Sequence, residues 1–457
     1  MEIFVNLPLE SCNCPYGYGG DDCSQRAEPG EDLEASIEWK HAPANKTIEI
    51  KVDGFSGVQC GFGCMNGGFE VKILEDPRMT ILNFGSHNKH SHGSRAKRQV
   101  IIRGEDQDQY KWPNNTVHYY FDEENFDFSM KETILQAMKM LSSHTCIKFS
   151  TEPSDVIIRM ESDSDRNYCF SEIGHVRENQ QFSFTSSCYS VGLAVHEIIH
   201  SLGFMHAHQR ADRDEYLHFV MDLDGMSLQD RQQYAIWEHQ ILLVPYDYGS
   251  VMQYADADDN YFPINKNRFM YQTMGSEVVA FYDYLMINKY YECSCGDDAL
   301  KCQNFGYPNP SNCSQCNCPY GFGGDDCSQR AEPGTTLQAT KGWKNTTISL
   351  DAGFKDVNHL RMRQIDYIYS YLWITAPENK TTEIRVLQSE SGKCFRGCGR
   401  GAIEIKTNED PRLTSPRFCC NESKTVRSSH TPTVVMAYNS EGLNEYTIAY
   451  RYVDTYQ

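Results

Sequence analysis

The spacing of apolar positions changes character along the chain. Met130, Ile134, Leu135, Met138 and Leu141 recur every three or four residues, which predicts an amphipathic helix reaching about His144. Ser129 followed by Glu132 fits a capping box and predicts where that helix starts. The short run Val156–Met160 predicts a strand, and the apolar stretch 191–203 predicts a second helix. Thr47–Val52 and Thr382–Leu387 alternate apolar and polar positions between Gly- and Pro-rich turns, which predicts strands outside this central segment.

Those outer strands belong to a repeat. Residues 12–30 read CNCPYGYGGDDCSQRAEPG and residues 316–334 read CNCPYGFGGDDCSQRAEPG, differing only at Tyr18 and Phe322. APANKTIEIKV (42–52) matches APENKTTEIRV (376–386), and EDPRMT (75–80) matches EDPRLT (409–414). The offset grows from 304 (316 − 12) to 334 (376 − 42), so the first copy is 30 residues shorter in the middle. Each copy reads as a small cysteine-stapled module followed by a β-rich one. A His/Ser/Gly-rich linker (85–94) and the dibasic RAKR (95–98) precede the central segment, and that exposed position suits proteolytic processing.

Composition narrows the setting. A chain of 457 residues suggests two to four domains, and 40% hydrophobic with 23% charged residues suits packed cores. The net charge of −20 argues against a nucleic-acid partner, which would need a basic footprint. Nineteen cysteines, many tightly spaced, accompany six Asn-x-Ser/Thr sites at Asn45, Asn114, Asn312, Asn345, Asn379 and Asn421. Together they predict a disulfide-bonded, glycosylated protein of the secretory route, extracellular in location. No stretch has the apolar length of a membrane span. MEIFVNLPLE lacks the basic and apolar regions of a signal peptide, so the expectation is an incomplete N-terminus.

The chemistry centres on HEIIHSLGFMH from 196, which fits H-E-x-x-H-x-x-G-x-x-H, the metzincin pattern. His196 and His200 are four apart, so a helix puts them on one face, with Cβ atoms roughly 5–6 Å apart. That spacing suits two imidazoles on one Zn²⁺. Gly203 lets the helix end and the chain turn, bringing in His206 as third ligand. Glu197 then lies beside the metal as a general base. Leu193, Ile198, Ile199 and Leu202 can hold the opposite face in a core.

The continuation GFMHAHQRADRDEY (203–216) resembles the signature of the astacin family, with Arg210, Asp212, Arg213 and Asp214 matching it. YGSVMQY (248–254) looks like that family's Met-turn, and 273–293 resembles the end of nematode astacin domains. The resemblance implies a secreted zinc endopeptidase with one zinc per catalytic domain, Met252 beneath the metal, and Tyr254 stabilising the oxyanion. It also implies that an extended protein or peptide substrate pairs with an edge strand, placed near Val156–Met160. Nematode relatives of this type suggest cuticle or matrix proteins as substrates. Three departures stand out. Ala207 replaces the family's Glu after the third His, and Gln253 replaces the Met-turn His. NFGSHNKHSH (83–92) lacks the aspartate of the F-x-G-D latency switch, which leaves the activation mechanism open.

The implied fold is α+β. A metzincin catalytic domain, with a twisted sheet and an active-site helix, precedes a small disulfide-rich EGF-like module and an all-β CUB sandwich. The partition is 1–30 partial EGF-like, 31–85 partial CUB-like, 86–98 linker with the RAKR site, 99–293 peptidase, 294–332 EGF-like and 333–457 CUB-like. Family pairing implies Cys146–Cys293 and Cys169–Cys188 in the peptidase. In the EGF-like module it implies Cys295–Cys313, Cys302–Cys316 and Cys318–Cys327. Spacing leaves the pairing of Cys394, Cys398, Cys419 and Cys420 open. Five cysteines (Cys12, Cys14, Cys23, Cys60 and Cys64) fall in the short first copy. That odd number makes residues 1–85 an expected fragment without stable folding of its own. The EGF-like and CUB modules are expected to bind extracellular proteins. Two alternatives remain: an impaired peptidase acting as a binding or adhesion protein through those modules, and a purely structural zinc site, which would usually have four protein ligands.

Overall fold

The computed structural model describes residues 110–455, apart from 123–125, 127, 163–167, 186–187, 189, 221–232, 237–239, 256–260, 265–268, 298, 354, 358–359, 363–365, 391–393, 395 and 421–422, and before them only short strands. Residues 1–94 and 95–457 form two compact units. In the first unit Ile3–Asn6 pairs with Glu70–Ile73, and Tyr18–Gly19 with Gln25–Arg26. The repeat keeps this second pairing, because Phe322–Gly323 meets Gln329–Arg330 in the same register. The expected strand Thr47–Val52, the RAKR site, the 83–92 segment and the question of a stable 1–85 fold lie outside the described residues.

The central domain begins with β1 (Thr116–Phe121), α1 (Phe128–His144), β2 (Lys148–Ser150), β3 (Ile158–Glu161), β4 (Phe170–Ser171) and β5 (Gln180–Ser183). They form one sheet in the order β2-β1-β3-β5-β4, parallel except for β4. Helix α2 (Val191–Ser201) and, much later, α3 (Phe281–Tyr290) complete the domain. Ile134 and Leu141 of α1 share one core with Ile158, Phe182, Ile198, Ile199 and Leu202. Leu135 is exposed, because it lies at the rim of the apolar stripe.

Two expectations need correction. Helix α1 starts at Phe128, so Ser129 is already inside the first turn and cannot be the extended residue of a capping box. The strand predicted near Val156–Met160 is β3, the middle of the sheet, with both edges occupied by β1 and β5. Its alternating, half-buried residues gave no sign of sheet position. The antiparallel edge is β4.

The EGF-like module is held by Cys295–Cys313, Cys302–Cys316 and Cys318–Cys327, and the central domain by Cys146–Cys293 and Cys169–Cys188. The module docks on the end of α1. Asn309 donates to the Ser143 carbonyl at 2.8 Å, and Asn317 to the His144 carbonyl at 2.8 Å. These are last-turn carbonyls, which a helix leaves without internal partners.

The C-terminal module is a β-sandwich. One sheet contains β6 (Gly334–Gln338), β8 (Ile368–Thr375), β10 (Gly401–Ile405), β11 (Arg417–Phe418) and β13 (Thr433–Asn439), in the order β6-β8-β13-β10-β11. The other contains β7 (Lys344–Asp351), β9 (Lys380–Glu390), β12 (Lys424–Ser428) and β14 (Leu443–Asp454), in the order β7-β14-β9-β12. Strand β9 contains the predicted Thr382–Leu387. Ile348, Ile374, Ile384, Val386, Ile403, Val435 and Ile448 fill the space between the sheets. Its cysteines pair Cys394–Cys420 and Cys398–Cys419.

Candidate metal centre

Helix α2 carries the site and is closely fitted. Ser190 is its N-cap, with an extended backbone and a side-chain oxygen accepting from the Leu193 amide at 3.1 Å. Gly192 has no room for a side chain, because a Cβ there would sit 1.9 Å from the Glu277 carbonyl oxygen. Ile198, Ile199 and Leu202 are buried in the core, while Leu193 is half-buried. The helix ends at Ser201, two residues short of the predicted stretch, and Gly203 turns the chain at φ +100°. That region of φ favours glycine.

The turn brings three imidazoles together. His200 Nε2 lies 3.1 Å from His196 Nε2 and 3.0 Å from His206 Nε2. Each opposite nitrogen is fixed: His196 Nδ1 to the Val251 carbonyl at 2.6 Å, His200 Nδ1 to the Phe204 carbonyl at 2.7 Å, and His206 Nδ1 to Gln209 Oε1 at 3.0 Å. A carbonyl or amide oxygen only accepts, so each Nδ1 must hold the proton. Three Nε2 lone pairs therefore face one another, an arrangement that repels itself unless a cation sits among them. Burial and mutual proximity also keep the rings unprotonated. Desolvation lowers His196 to about 4 and His200 to about 3, and pushes His206 well below its usual value. The donor set fits zinc, with three neutral imidazole nitrogens and no further His, Cys, Asp or Glu joining the cluster among the described residues.

Around these ligands, Met252 is fully buried. Its carbonyl accepts from the Ala207 amide at 2.7 Å, tying the Met-turn to the third ligand's segment. Tyr254 lies over His206 with ring centroids 4.0 Å apart, and burial raises its pKa. Glu197, 7% exposed, is raised to about 8 by desolvation in the metal-free chain. A dication nearby would favour its charged form again.

Several residues of the site carried no sequence signal. Val251 and Phe204 act through backbone carbonyls, which leave no mark in side-chain identity. Asp283 of α3 accepts from the Val251 amide at 3.0 Å, the Ala280 amide at 2.8 Å and the Ser250 hydroxyl, and so holds the Met-turn from below. His208 stacks on His206, centroids 5.1 Å apart, and meets the tilted ring of Tyr254, centroids 4.7 Å apart. Gln253, at the family's His position, donates to the Tyr254 carbonyl at 3.1 Å and accepts from the Tyr246 hydroxyl. Of the signature residues, Arg210 forms a bidentate pair with Asp212 at 2.8 and 2.9 Å and also reaches the Val244 carbonyl. Arg213 binds the His208 carbonyl at 3.0 Å and pairs with Asp214. They fold the segment after His206.

The model of the astacin peptidase family matches residues 104–292. Zinc metalloproteinase nas-22 of Caenorhabditis elegans is 66% identical over 334 residues, 72% of this chain and 91% of that protein. The chain belongs to the astacin family. Zinc metalloproteinase-like protein nas-21, from the same organism, is 45% identical over 381 residues, 82% of this chain and 93% of that protein. Among solved structures, high choriolytic enzyme 1, a hatching enzyme zinc-protease of the medaka Oryzias latipes, is 25% identical, covers 42% of this chain and 100% of its own, and has a TM-score of 0.37. As an astacin, the chain is a zinc metalloendopeptidase with one zinc, and the cluster of His196, His200 and His206 fits that zinc site.

Proposed function

We propose that this astacin is secreted and cuts internal peptide bonds of extracellular proteins, cuticle or matrix proteins among them. The cluster of three Nε2 atoms, with Glu197 next to it in sequence and buried beside it, carries the reading. Bound there, zinc supplies a Lewis acid that polarises the scissile carbonyl and acidifies water. A Glu197 carboxylate oxygen takes the proton from the attacking water and passes it to the leaving amine nitrogen. The Tyr254 hydroxyl donates a hydrogen bond to the oxygen that becomes negative. The substrate backbone lies along β4 (Phe170–Ser171), the last strand in the sheet order, beside the Cys169–Cys188 bridge, because an extended peptide can add to a strand at the edge of a sheet.

Extracellular location is supported by seven disulfides among the described residues and by the exposure of Asn114, Asn312, Asn345 and Asn379, four of the six glycosylation sites. Asn45 and Asn421 lie outside the described residues. No helix among the described residues is long and apolar enough to cross a membrane. In this reading 99–293 is the catalytic part, and the modules at 294–332 and 333–457 contact extracellular proteins.

The test is expression through a secretory route, followed by glycan mapping and incubation with collagen and cuticle extracts. Glycans on the exposed asparagines and internal cuts that vanish in Glu197→Ala support the proposal. An unglycosylated product, or cleavage at chain ends only, contradicts it.

A further inference from the structure

The segment EDPRLT closes the repeat and has no role in the chemistry described so far. Its last residue, Thr414, reaches into the peptidase. The Thr414 amide donates to the two Asp247 oxygens at 3.3 and 3.2 Å, and its hydroxyl to Asp247 Oδ2 at 3.1 Å. Asp247 is buried at the head of the turn that carries Met252 and also accepts from the Gly249 amide at 2.9 Å. From there the contacts run to a zinc ligand. The Asp247 carbonyl accepts from the Ser250 amide at 3.2 Å, the Ser250 hydroxyl accepts from the Met252 amide at 3.1 Å, and the Val251 carbonyl between them accepts from His196 Nδ1 at 2.6 Å.

The surface around this link is built for close fit. A Cβ at Gly249 would lie 2.3 Å from Thr414 Cγ2, and one at Gly397 would lie 1.9 Å from the Gly275 carbonyl oxygen. Gly397 instead donates its amide to the Gln272 carbonyl at 2.9 Å. Arg417 is fully buried. Its amide donates to Thr273 Oγ1 at 3.0 Å, and its guanidinium binds Ser276 and, at 2.9 Å, Glu404. Glu404 also pairs with buried Lys406 at 2.7 Å. A buried, fully paired charge network of this kind tolerates little displacement, unlike the polar, mobile contacts usual between domains.

We propose that the C-terminal sandwich is a positioning element of the catalytic site, and that Thr414 is the residue through which it acts. By holding Asp247, Thr414 fixes the turn that places the Val251 carbonyl against His196. The sandwich thereby sets the orientation of a zinc ligand from another module of the same chain. Such outer partners of metal-bound histidines typically govern metal affinity by about 10–100-fold. The proposal rests on His196 binding zinc, so zinc content of the wild-type chain is measured first. Absence of zinc there would refute the ligand assignment itself.

The experiment compares full-length wild type, Thr414→Val, Thr414→Ser and Tyr320→Phe. Tyr320→Phe removes another inter-module hydroxyl contact, to the Val279 carbonyl at 2.9 Å, which reaches the turn only through the Ala280 amide and Asp283 and not through Asp247. The readouts are the rate of zinc loss to excess chelator, amide exchange across 247–252 in the metal-free chain, and kcat and KM separately. Thr414→Val is expected to lose zinc about tenfold faster, to exchange faster across 247–252, and to lower kcat at unchanged KM. Thr414→Ser, which keeps the hydroxyl, should stay near wild type, as should Tyr320→Phe. Zinc loss at the wild-type rate in Thr414→Val, or an equal acceleration in Tyr320→Phe, overturns the proposal. Should Thr414→Val fail to fold, Asp247→Asn tests the same link from the other side. Faster zinc loss there supports the proposal, and a wild-type rate overturns it.

Discussion

His206 donates its Nδ1 proton to Oε1 of Gln209, 3.0 Å away, three residues further along the chain. This bond fixes both the tautomer and the aim of the third imidazole. Gln209 is 2% exposed, so no water replaces it readily. Gln209→Leu keeps the bulk but leaves a buried N–H without a partner, at a cost of about 1–3 kcal/mol. Zinc affinity, measured by chelator competition, is expected to fall about 10–100-fold. An unchanged affinity would show that the ring is oriented by packing on His208 and Tyr254 alone.

Tyr254→Phe removes only a hydroxyl from a ring seated 4.0 Å from that of His206. If the hydroxyl meets the developing oxyanion, kcat should fall about 10²–10³-fold with zinc content unchanged, since single oxyanion donors carry that much. A kcat within threefold of wild type on peptide substrates would remove Tyr254 from the chemistry.

Much of this candidate site was legible because its clustered histidines are side chains at fixed helical spacing. His196, His200 and His206 announce themselves, and Gly203 explains how the third one arrives. The orienting shell was not legible, because two of its three acceptors are backbone carbonyls and the third, Gln209, resembles any polar loop residue. Asp283 comes from a helix 87 residues beyond His196 (283 − 196), a proximity that only folding creates. The fold shows the same division. The sandwich strand at Thr382–Leu387 could be read from alternation, whereas the central place of β3 could not, since sheet order is set by long-range pairing.

Gly192 tests the fit of the active-site helix. A methyl group there meets the Glu277 backbone, which has no flexible end to move aside. Gly192→Ala is expected to destabilise the protein by about 1–3 kcal/mol through overpacking, visible as a lower midpoint in denaturant unfolding. A gain in stability, as helix propensity alone would give, would contradict the close approach.

His144 gives the docked EGF-like module a pH dependence. Burial lowers its pKa, partly offset by its hydrogen bond to Asn317 at 2.8 Å. The unfolded chain, with a His near 6.5, therefore takes up the proton first. This contribution to stability is complete above about 6.5 and is lost as pH falls from there toward the folded value. Between pH 7.5 and 5.5, Tm of the wild-type chain should drop more than Tm of His144→Gln. Parallel curves would show that His144 does not titrate in this range.

The most direct measurement of the whole account joins zinc content to cleavage in one preparation. Wild-type chain and Glu197→Ala are purified in parallel, their zinc is counted, and hydrolysis of a peptide library is followed. Both should hold one zinc per chain. Wild type should cut internal bonds, and Glu197→Ala should be slower by about 10²–10⁴-fold, the range of a lost general base. Zinc bound equally in both, with no cleavage by wild type above the variant, would contradict the peptidase reading of the site.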